Sequence, residues 1–450
     1  MAQTRRDFLA STAALSVGGA LSPIFGAERK RPRVAAIFTE FRFRSHTYNI
    51  LENFFQPYLF NGKLTDPGVD IVSFYADQFP KGDMARPVAK KYDIPLYEKI
   101  ADALTLGGKE LAVDAVLLIG EHGEYPINKL GQKMYPRKQF FDQILGVMEA
   151  SNRFVPVFND KHLSYRWDWS KEMYDAAKKN GFPIMAGSSV PLAERRPAFE
   201  LPPDAEIETA ISIHGGGVET YDFHGLEVLQ SIVEGRKGGE TGVTHVEYFG
   251  PKQFQHAMKD GRWPRELILA AMEAEKEAGG VERQPRPISR IPTKAEKARE
   301  PKYNLNVDHA IELQYKDGLK AVVLRMGSSA NRWNFACRLK GERKPRATAF
   351  YNGPWGNRCL FKALSHSIQH LFKTKTEPYP VERTLLVSGI LDTAMYARFD
   401  ESGCVATPHL ELAYSPIDFR KQREMGGSWK IITKDTRQPG EFSPGDKRFL

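Results

Sequence analysis

Short, nearly continuous apolar runs recur through the first part of the chain: Val34–Phe38, Val69–Phe74, Val113–Gly120, Phe154–Phe158 and Phe182–Gly187. Runs of this length bounded by turn residues predict strands covered on both faces. Between them the apolar residues fall three or four apart, which predicts helices. One begins at Asn49, a short one closes over Ala89–Pro95, and others cover Tyr97–Leu106, Lys138–Ser151 and Trp167–Lys179, the last stopped by Gly181 as a C-cap. Repeated strand–helix–strand units from Arg33 to about Leu192 predict a doubly wound parallel α/β sheet.

The pattern changes after Pro191. Strands are predicted at Ile207–His214, Val243–Phe249, His309–Tyr315, Lys320–Met326, Phe335–Leu339 and Ala347–Tyr351, with Asp317-Gly318 marking a hairpin. Helices are predicted at Phe223–Glu234, Pro264–Ala278 and Cys359–Phe372. This reads as an α+β domain on a mostly antiparallel open sheet. Arg283–Lys302 is rich in Pro, Lys and Arg without periodicity and reads as a solvated loop, and the residues from about Arg420 read as loosely structured.

Composition adds a compartment. Thr4-Arg5-Arg6-Asp7-Phe8-Leu9 precedes an Ala- and Gly-rich apolar run ending at Leu21, the form of a twin-arginine export signal with cleavage near Ala27. That run is too short for a comfortable membrane span and no other segment reaches that length, so the mature chain is expected in the periplasm without stable membrane insertion. The expected organisation is a signal at 1–27, a Rossmann-like domain at 30–192, an α+β substrate and oligomerisation domain at 193–420, and a tail at 421–450. The net charge is +9, but the basic residues are scattered and no nucleic-acid motif accompanies them, so nucleic acid is not an expected partner. Cys337, Cys359 and Cys404 lack CxxC spacing, which argues against a disulfide framework or a zinc ribbon and leaves one chance disulfide open.

Ligands of a doubly wound sheet sit beyond the carboxyl ends of its strands. Those ends here are Thr39-Glu40-Phe41-Arg42, Glu121-His122-Gly123-Glu124, Asp160-Lys161-His162 and Ser188-Ser189. Glu121 and Glu124 read equally as solvated loop charges. Lys161 follows a buried strand directly, where desolvation or nearby cations tune a lysine for proton exchange. A second cluster, Ser212 to Gln230, holds Gly215, Gly216 and Gly217 followed by Glu219, Asp222, His224 and Glu227. His224 and Glu227 share a helix face and can form an acid–base pair or hold a divalent metal; the competing reading of Glu219 and Asp222 is acidic residues complementing a helix N-terminus.

Four stretches resemble the Gfo/Idh/MocA oxidoreductases, the family of glucose–fructose oxidoreductase and inositol dehydrogenase. VDAVLLIG (Val113–Gly120) resembles the strand under the family's nicotinamide. FNDKHLS (Phe158–Ser164) resembles its Glu-Lys-Pro element, with Lys161 on the catalytic lysine. GGGVETYDFHGLE (Gly215–Glu227) resembles its glycine-and-histidine segment, with His224 on the histidine. Tyr379–Thr407 resembles its closing helix. The resemblance implies an oxidoreductase using NAD or NADP on a sugar, polyol or related carbohydrate. Lys161 and His224 would act on the hydroxyl proton, with Glu219 or Asp222 as orienting carboxylate. Cofactor contacts would come from Thr39, Arg42, Ser45, Glu121, His122 and Asp160, and a homo-oligomer is expected.

The family's Gly-x-Gly-x-x-Gly turn is absent: no glycine lies between Arg33 and Gly62, and Glu40 would repel pyrophosphate where Arg42, Arg44, Ser45 and His46 would have to replace backbone contacts. Two other readings therefore stand beside the first. One is metal-dependent lyase, epimerase or hydrolase chemistry using His122, His162, His214 and His224. The other is an inactive sugar-binding member of the fold with Tyr221, Trp333 and Trp355 as stacking faces.

Overall fold

Strand β1 (Arg33–Phe38) runs up the centre of a six-stranded parallel sheet and alternates its side chains between two cores. Val34, Ala36 and Phe38 face one, Ala35 and Ile37 the other. The computed structural model describes residues 31–279, 308–329 and 331–450, so the export signal and the Arg283–Lys302 loop lie outside the described residues. Within the unit Pro32–Leu450 the chain builds two large sheets and a two-stranded one.

The first sheet adds β4 (Asp70–Ala76), β5 (Leu96–Tyr97), β6 (Ala115–Ile119), β7 (Val157–Asp160) and β8 (Ile184–Gly187), in the order β5-β4-β1-β6-β7-β8. A hairpin, β2 (Tyr58–Phe60) and β3 (Lys63–Thr65), stands apart from it. The strand order reverses between β1 and β6, which opens a crevice at their carboxyl ends. Helices α1 (His46–Leu51) and α2 (Ala85–Lys91) cover one face; α3 (Ile100–Thr105), α4 (Arg137–Ala150) and α5 (Trp167–Asn180) cover the other.

Two local expectations change. Tyr97 is not the start of a helix; with Leu96 it forms a short edge strand paired with Phe74 and Tyr75, and the helix begins at Ile100. The free edge of β4 needs backbone partners, and that demand overrides helical periodicity. Helix α1 begins at His46 rather than Asn49, because the Ser45 hydroxyl caps it by accepting the Tyr48 N–H at 3.2 Å.

The second sheet contains β9 (Glu194–Arg196), β10 (Ile207–His214), β11 (Val243–Phe249), β12 (His309–Tyr315), β13 (Lys320–Arg325), β14 (Trp333–Leu339), β15 (Arg346–Tyr351) and β16 (Cys404–Ala406), in the order β16-β11-β12-β13-β10-β14-β15-β9. Every pairing is antiparallel except β10 with β13. One face packs on α6 (Asp222–Val233) and the long helix α10 (Val381–Asp400), while the long helix α9 (Asn357–Thr374) packs against α1 and β2. The other face is covered by α7 (Pro251–Lys259) and α8 (Arg265–Glu277), where Trp263, Leu267 and Ala271 meet Ile211, Ile213 and Val322.

Helix α10 ties the two sheets together. Its Arg383 pairs with Glu234 at the end of α6, Nε to Oε2 at 2.9 Å, with both side chains buried. Its Thr384 donates to the Ala186 carbonyl of β8 at 3.1 Å, and its Ser388 accepts the Leu163 N–H beyond β7 at 3.3 Å. These bonds set the loop carrying Lys161 against the helix carrying His224.

The segment after Arg420 holds only short 3-10 turns, yet it is fastened by side chains. Phe442 packs edge-on against Phe41 and Tyr48 at 5.3 and 5.4 Å, and Asp446 pairs with Lys362 and accepts the Leu59 N–H at 2.9 Å. All three cysteines are free. Among the described residues no helix is long and apolar enough to cross a membrane.

Candidate functional site

Three buried charges meet above β6 and β7. Glu121 follows β6, Lys161 follows β7, and Arg137 opens α4. Lys161 Nζ donates to Glu121 Oε1 at 2.9 Å, and the Arg137 guanidinium bonds Glu121 Oε2. Arg137 also donates to the Asp160 carbonyl at 3.1 Å and to His162 Nε2 at 3.3 Å. Burial alone would raise the Glu121 carboxyl; the charges of Lys161 and Arg137 outweigh it and hold Glu121 well below the usual range. Glu121 is thus no solvated loop charge, whereas Glu124 is exposed. Lys161 is desolvated, as its place after a buried strand implies, and its partner is a carboxylate.

The second wall comes from the loop between β10 and α6. Asp222 accepts three bonds: His214 Nε2 at 2.9 Å and His309 Nε2 at 2.7 Å on Oδ1, and the Glu219 N–H at 2.7 Å on Oδ2. Burial opposes its charge, but His309 and His214 keep Asp222 well below the carboxylate range. Glu219 so held places Oε1 3.8 Å from His162 Nε2, and burial pushes its carboxyl up to about 7. His224 hydrogen-bonds Ser188 Oγ through Nδ1 at 2.6 Å; burial, then the Lys161 charge, pushes its imidazole far down, so it is neutral.

Lys161 and His224 therefore come to one place. The Lys161 carbonyl accepts the Gly187 N–H at 2.9 Å, and the next residue, Ser188, holds His224. Glu227 converges there too, with Oε1 2.8 Å from Thr384 Oγ1 and Oε2 accepting the Ser188 N–H at 3.4 Å. His122, Lys161 and Glu219 all stand in the left-handed region, with φ of 72, 64 and 65 degrees. Side chains other than glycine rarely adopt it, and such strain collects at functional sites.

Tyr221 and Trp333 stack at 5.4 Å with an interplanar angle of 6 degrees, and His224 meets Trp333 edge-on at 5.3 Å. Gly216 makes room for this wall, since a Cβ there would lie 1.9 Å from Tyr221 Cγ. Trp355 takes no part: it packs with Leu59, Cys359 and Trp429.

Other expected residues serve different ends. Asp222, expected as an orienting carboxylate, orients His214, His309 and the Glu219 backbone. Ser45 caps α1 and its oxygen also accepts the Arg42 N–H at 3.3 Å. The Thr39 hydroxyl donates to the Glu121 carbonyl at 2.6 Å, Arg42 pairs with Glu40, and Asp160 accepts His46 Nδ1 at 2.6 Å. His122 faces Arg42 through Nδ1 at 3.4 Å.

Of the four histidines considered for a metal, only His214 belongs to a group with ligand spacing among the described residues, together with Asp222 and His309. Its bonding fits a hydrogen-bonded triad better than a metal. His214 Nδ1 faces the Gly216 N–H at 3.4 Å, so Nε2 carries the proton aimed at Asp222 and offers no lone pair. Sequence reasoning missed His309, Arg137 and the bridge made by His46. His309 lies 87 residues from Asp222, and no local spacing announces that contact.

A dinucleotide fits this crevice poorly. The turn after β1 brings buried side chains, Thr39, Glu40 and Phe41, where a glycine-rich turn would let pyrophosphate approach the backbone.

No protein-family model matches the chain, and no curated protein matches it in sequence. Among solved structures it is similar to myo-inositol dehydrogenase from Lactobacillus casei in complex with NAD(H) and myo-inositol, with a TM-score of 0.51 and 11% identity over 87% of this chain and 100% of that one. It is similar also to GenD2 from gentamicin A biosynthesis in complex with NAD, with a TM-score of 0.50 and 10% identity over 84% and 96% of the two chains. At such identities the likeness is one of fold: a Rossmann-like parallel sheet followed by a mixed, mostly antiparallel one.

Proposed function

We propose that the protein is an enzyme acting on a sugar or polyol, with Lys161 and Glu219 as its acid–base pair. The carrying observation is the Lys161–Glu121–Arg137 charge group facing Glu219, a carboxyl poised near neutrality on strained backbone. A carboxyl titrating at about 7 can take and return a proton at working pH. The Lys161 ammonium then stabilises oxyanion character on the substrate, with Glu121 holding it in place. His224, neutral and fixed by Ser188, offers a further polar contact, and the Tyr221–Trp333 stack suits a sugar face.

The reading agrees with the substrates of the fold neighbours, one of which was solved with myo-inositol, and at the coarse level supports chemistry of the carbohydrate oxidoreductase kind. A second reading, a non-redox epimerase or lyase on the same substrate class, is favoured by the crowding of the dinucleotide crevice. The Arg5-Arg6 segment supports export to the periplasm, which a fusion reporter with and without residues 1–27 would test.

The test is a panel of sugars and polyols in deuterated buffer, with and without NAD(P), followed by NMR for product and for deuterium incorporation. Lys161→Met and Glu219→Gln should each lose about 10²–10⁴-fold in turnover while keeping a native circular dichroism spectrum. Undiminished turnover in Lys161→Met would sink the assignment.

A further inference from the structure

We propose that the switch-point crevice of this protein is not a dinucleotide site: the chain's own side chains bridge it, and the chemistry at Lys161 moves protons and no hydride. This goes beyond the assignment of Lys161 and Glu219 and rests on it only for the place of reaction.

The pyrophosphate of a dinucleotide in a doubly wound sheet lies between the β1 turn and the first helix, with the nicotinamide reaching toward the next strands. Here that path is crossed three times. Nearest β1, the Thr39 hydroxyl donates to the Glu121 carbonyl at 2.6 Å, closing β1 against β6. Above it Arg42, already paired with Glu40, reaches His122 Nδ1 at 3.4 Å. Further over, His46 at the first turn of α1 spans to Asp160 at the end of β7 with a 2.6 Å bond. The His46 ring is itself wedged between His122 at 5.0 Å and Phe361 of α9 at 4.7 Å.

Each bridge uses groups a cofactor would need. Glu40, His46, Asp160 and Glu121 are all buried, so none is a solvated side chain that swings aside without cost. Phe41 is fully buried against Phe38 and Phe442, which fixes the turn from below. Two amides of α1 are engaged as well, Tyr48 N–H on Ser45 Oγ and Asn49 N–H on the Ser45 carbonyl. To enter, a dinucleotide would have to break the His46–Asp160 bond and set phosphate beside the buried Glu40 carboxylate. Its phosphates carry the charge that Glu40, Glu121 and Asp160 oppose, while Arg42 and Arg137 are committed to Glu40 and Glu121.

The experiment uses the full chain as purified. Denaturation followed by mass spectrometry should release no nicotinamide nucleotide, and calorimetric titration with NAD⁺, NADH, NADP⁺ and NADPH should show no saturable binding. Nucleotide carried through purification, or saturable binding of any of the four with Kd below about 1 mM, overturns the proposal. If such binding is abolished by Arg42→Ala or Arg44→Ala, side chains have replaced the glycine cradle and the proposal is equally overturned. Failure here leaves Lys161 and Glu219 standing as a redox site, whereas full turnover in Lys161→Met removes that site and leaves the empty-crevice result untouched.

Discussion

The side chain of Asp222 holds the backbone of Glu219: Oδ2 accepts the Glu219 N–H at 2.7 Å, and Glu219 is thereby kept at a φ of 65 degrees. The other oxygen of Asp222 is gripped by His214 and His309 at 2.9 and 2.7 Å. A carboxylate fixed from two strands thus sets the conformation of the loop that brings Glu219 to His162.

Removing that carboxylate should loosen everything it holds. Asp222→Ala leaves two buried imidazole N–H groups and one backbone N–H without an acceptor. Urea denaturation should show a loss of about 3–5 kcal/mol. Asp222→Asn, similar in shape but weaker as an acceptor, should lose less. An unchanged midpoint for Asp222→Ala would show that Asp222 supports nothing.

Stability should depend on pH through Glu219 and Glu227. Burial raises both to about 7 in the fold, against a usual value of 4.5. Between those values the folded state holds protons that the unfolded chain has released, so stability falls as pH rises from about 4.5 to 7. Glu219→Gln should remove part of that slope, measured as the difference between wild-type and variant unfolding free energies across the window. An identical slope would mean that Glu219 is not raised.

Gly216→Ala places a methyl 1.9 Å from Tyr221 Cγ. The ring has to move, and its stack on Trp333 goes with it. A loss of about 1–3 kcal/mol is expected, with a shift in tryptophan emission. Gly146→Ala on the α4 surface, where nothing lies within 4 Å of the added Cβ, is the control and should be neutral or slightly stabilising.

Deleting residues 441–450 should destabilise the whole chain rather than trim a loose end. It removes the buried Phe442 ring, worth about 1.5–3 kcal/mol, and strips buried Lys362 of Asp446. The melting temperature should fall; a truncated chain melting with the parent would show that the segment is dispensable.

Much of the candidate site was legible because its residues stand where local pattern points. Lys161 directly follows a buried apolar strand, and Glu219, Asp222 and His224 crowd one short loop after another. Their roles were less legible. Glu121 reads as a loop charge until Arg137 and Lys161 are set around it. Asp222 reads as an orienting carboxylate, and what it orients shows only when His309 arrives from a strand far along the chain. Ser45 reads as a phosphate contact, and only the fold shows that α1 also begins on it.

Apolar periodicity along the chain was enough to place both sheets, most helices and the edge on which the chemistry collects, because whether a strand is buried on one face or two is written in its own neighbours. Tyr97 shows the limit: it reads as the start of a helix, and an unpaired sheet edge draws it with Leu96 into a strand. Which carboxylate meets which cation, and whether the crevice beside β1 is open or crossed by His46 and Asp160, depends on side chains distant in sequence and adjacent in space. Pairing of buried charges is a matter of distances of a few ångströms, and packing, chiefly of α10 across both sheets, settles those distances.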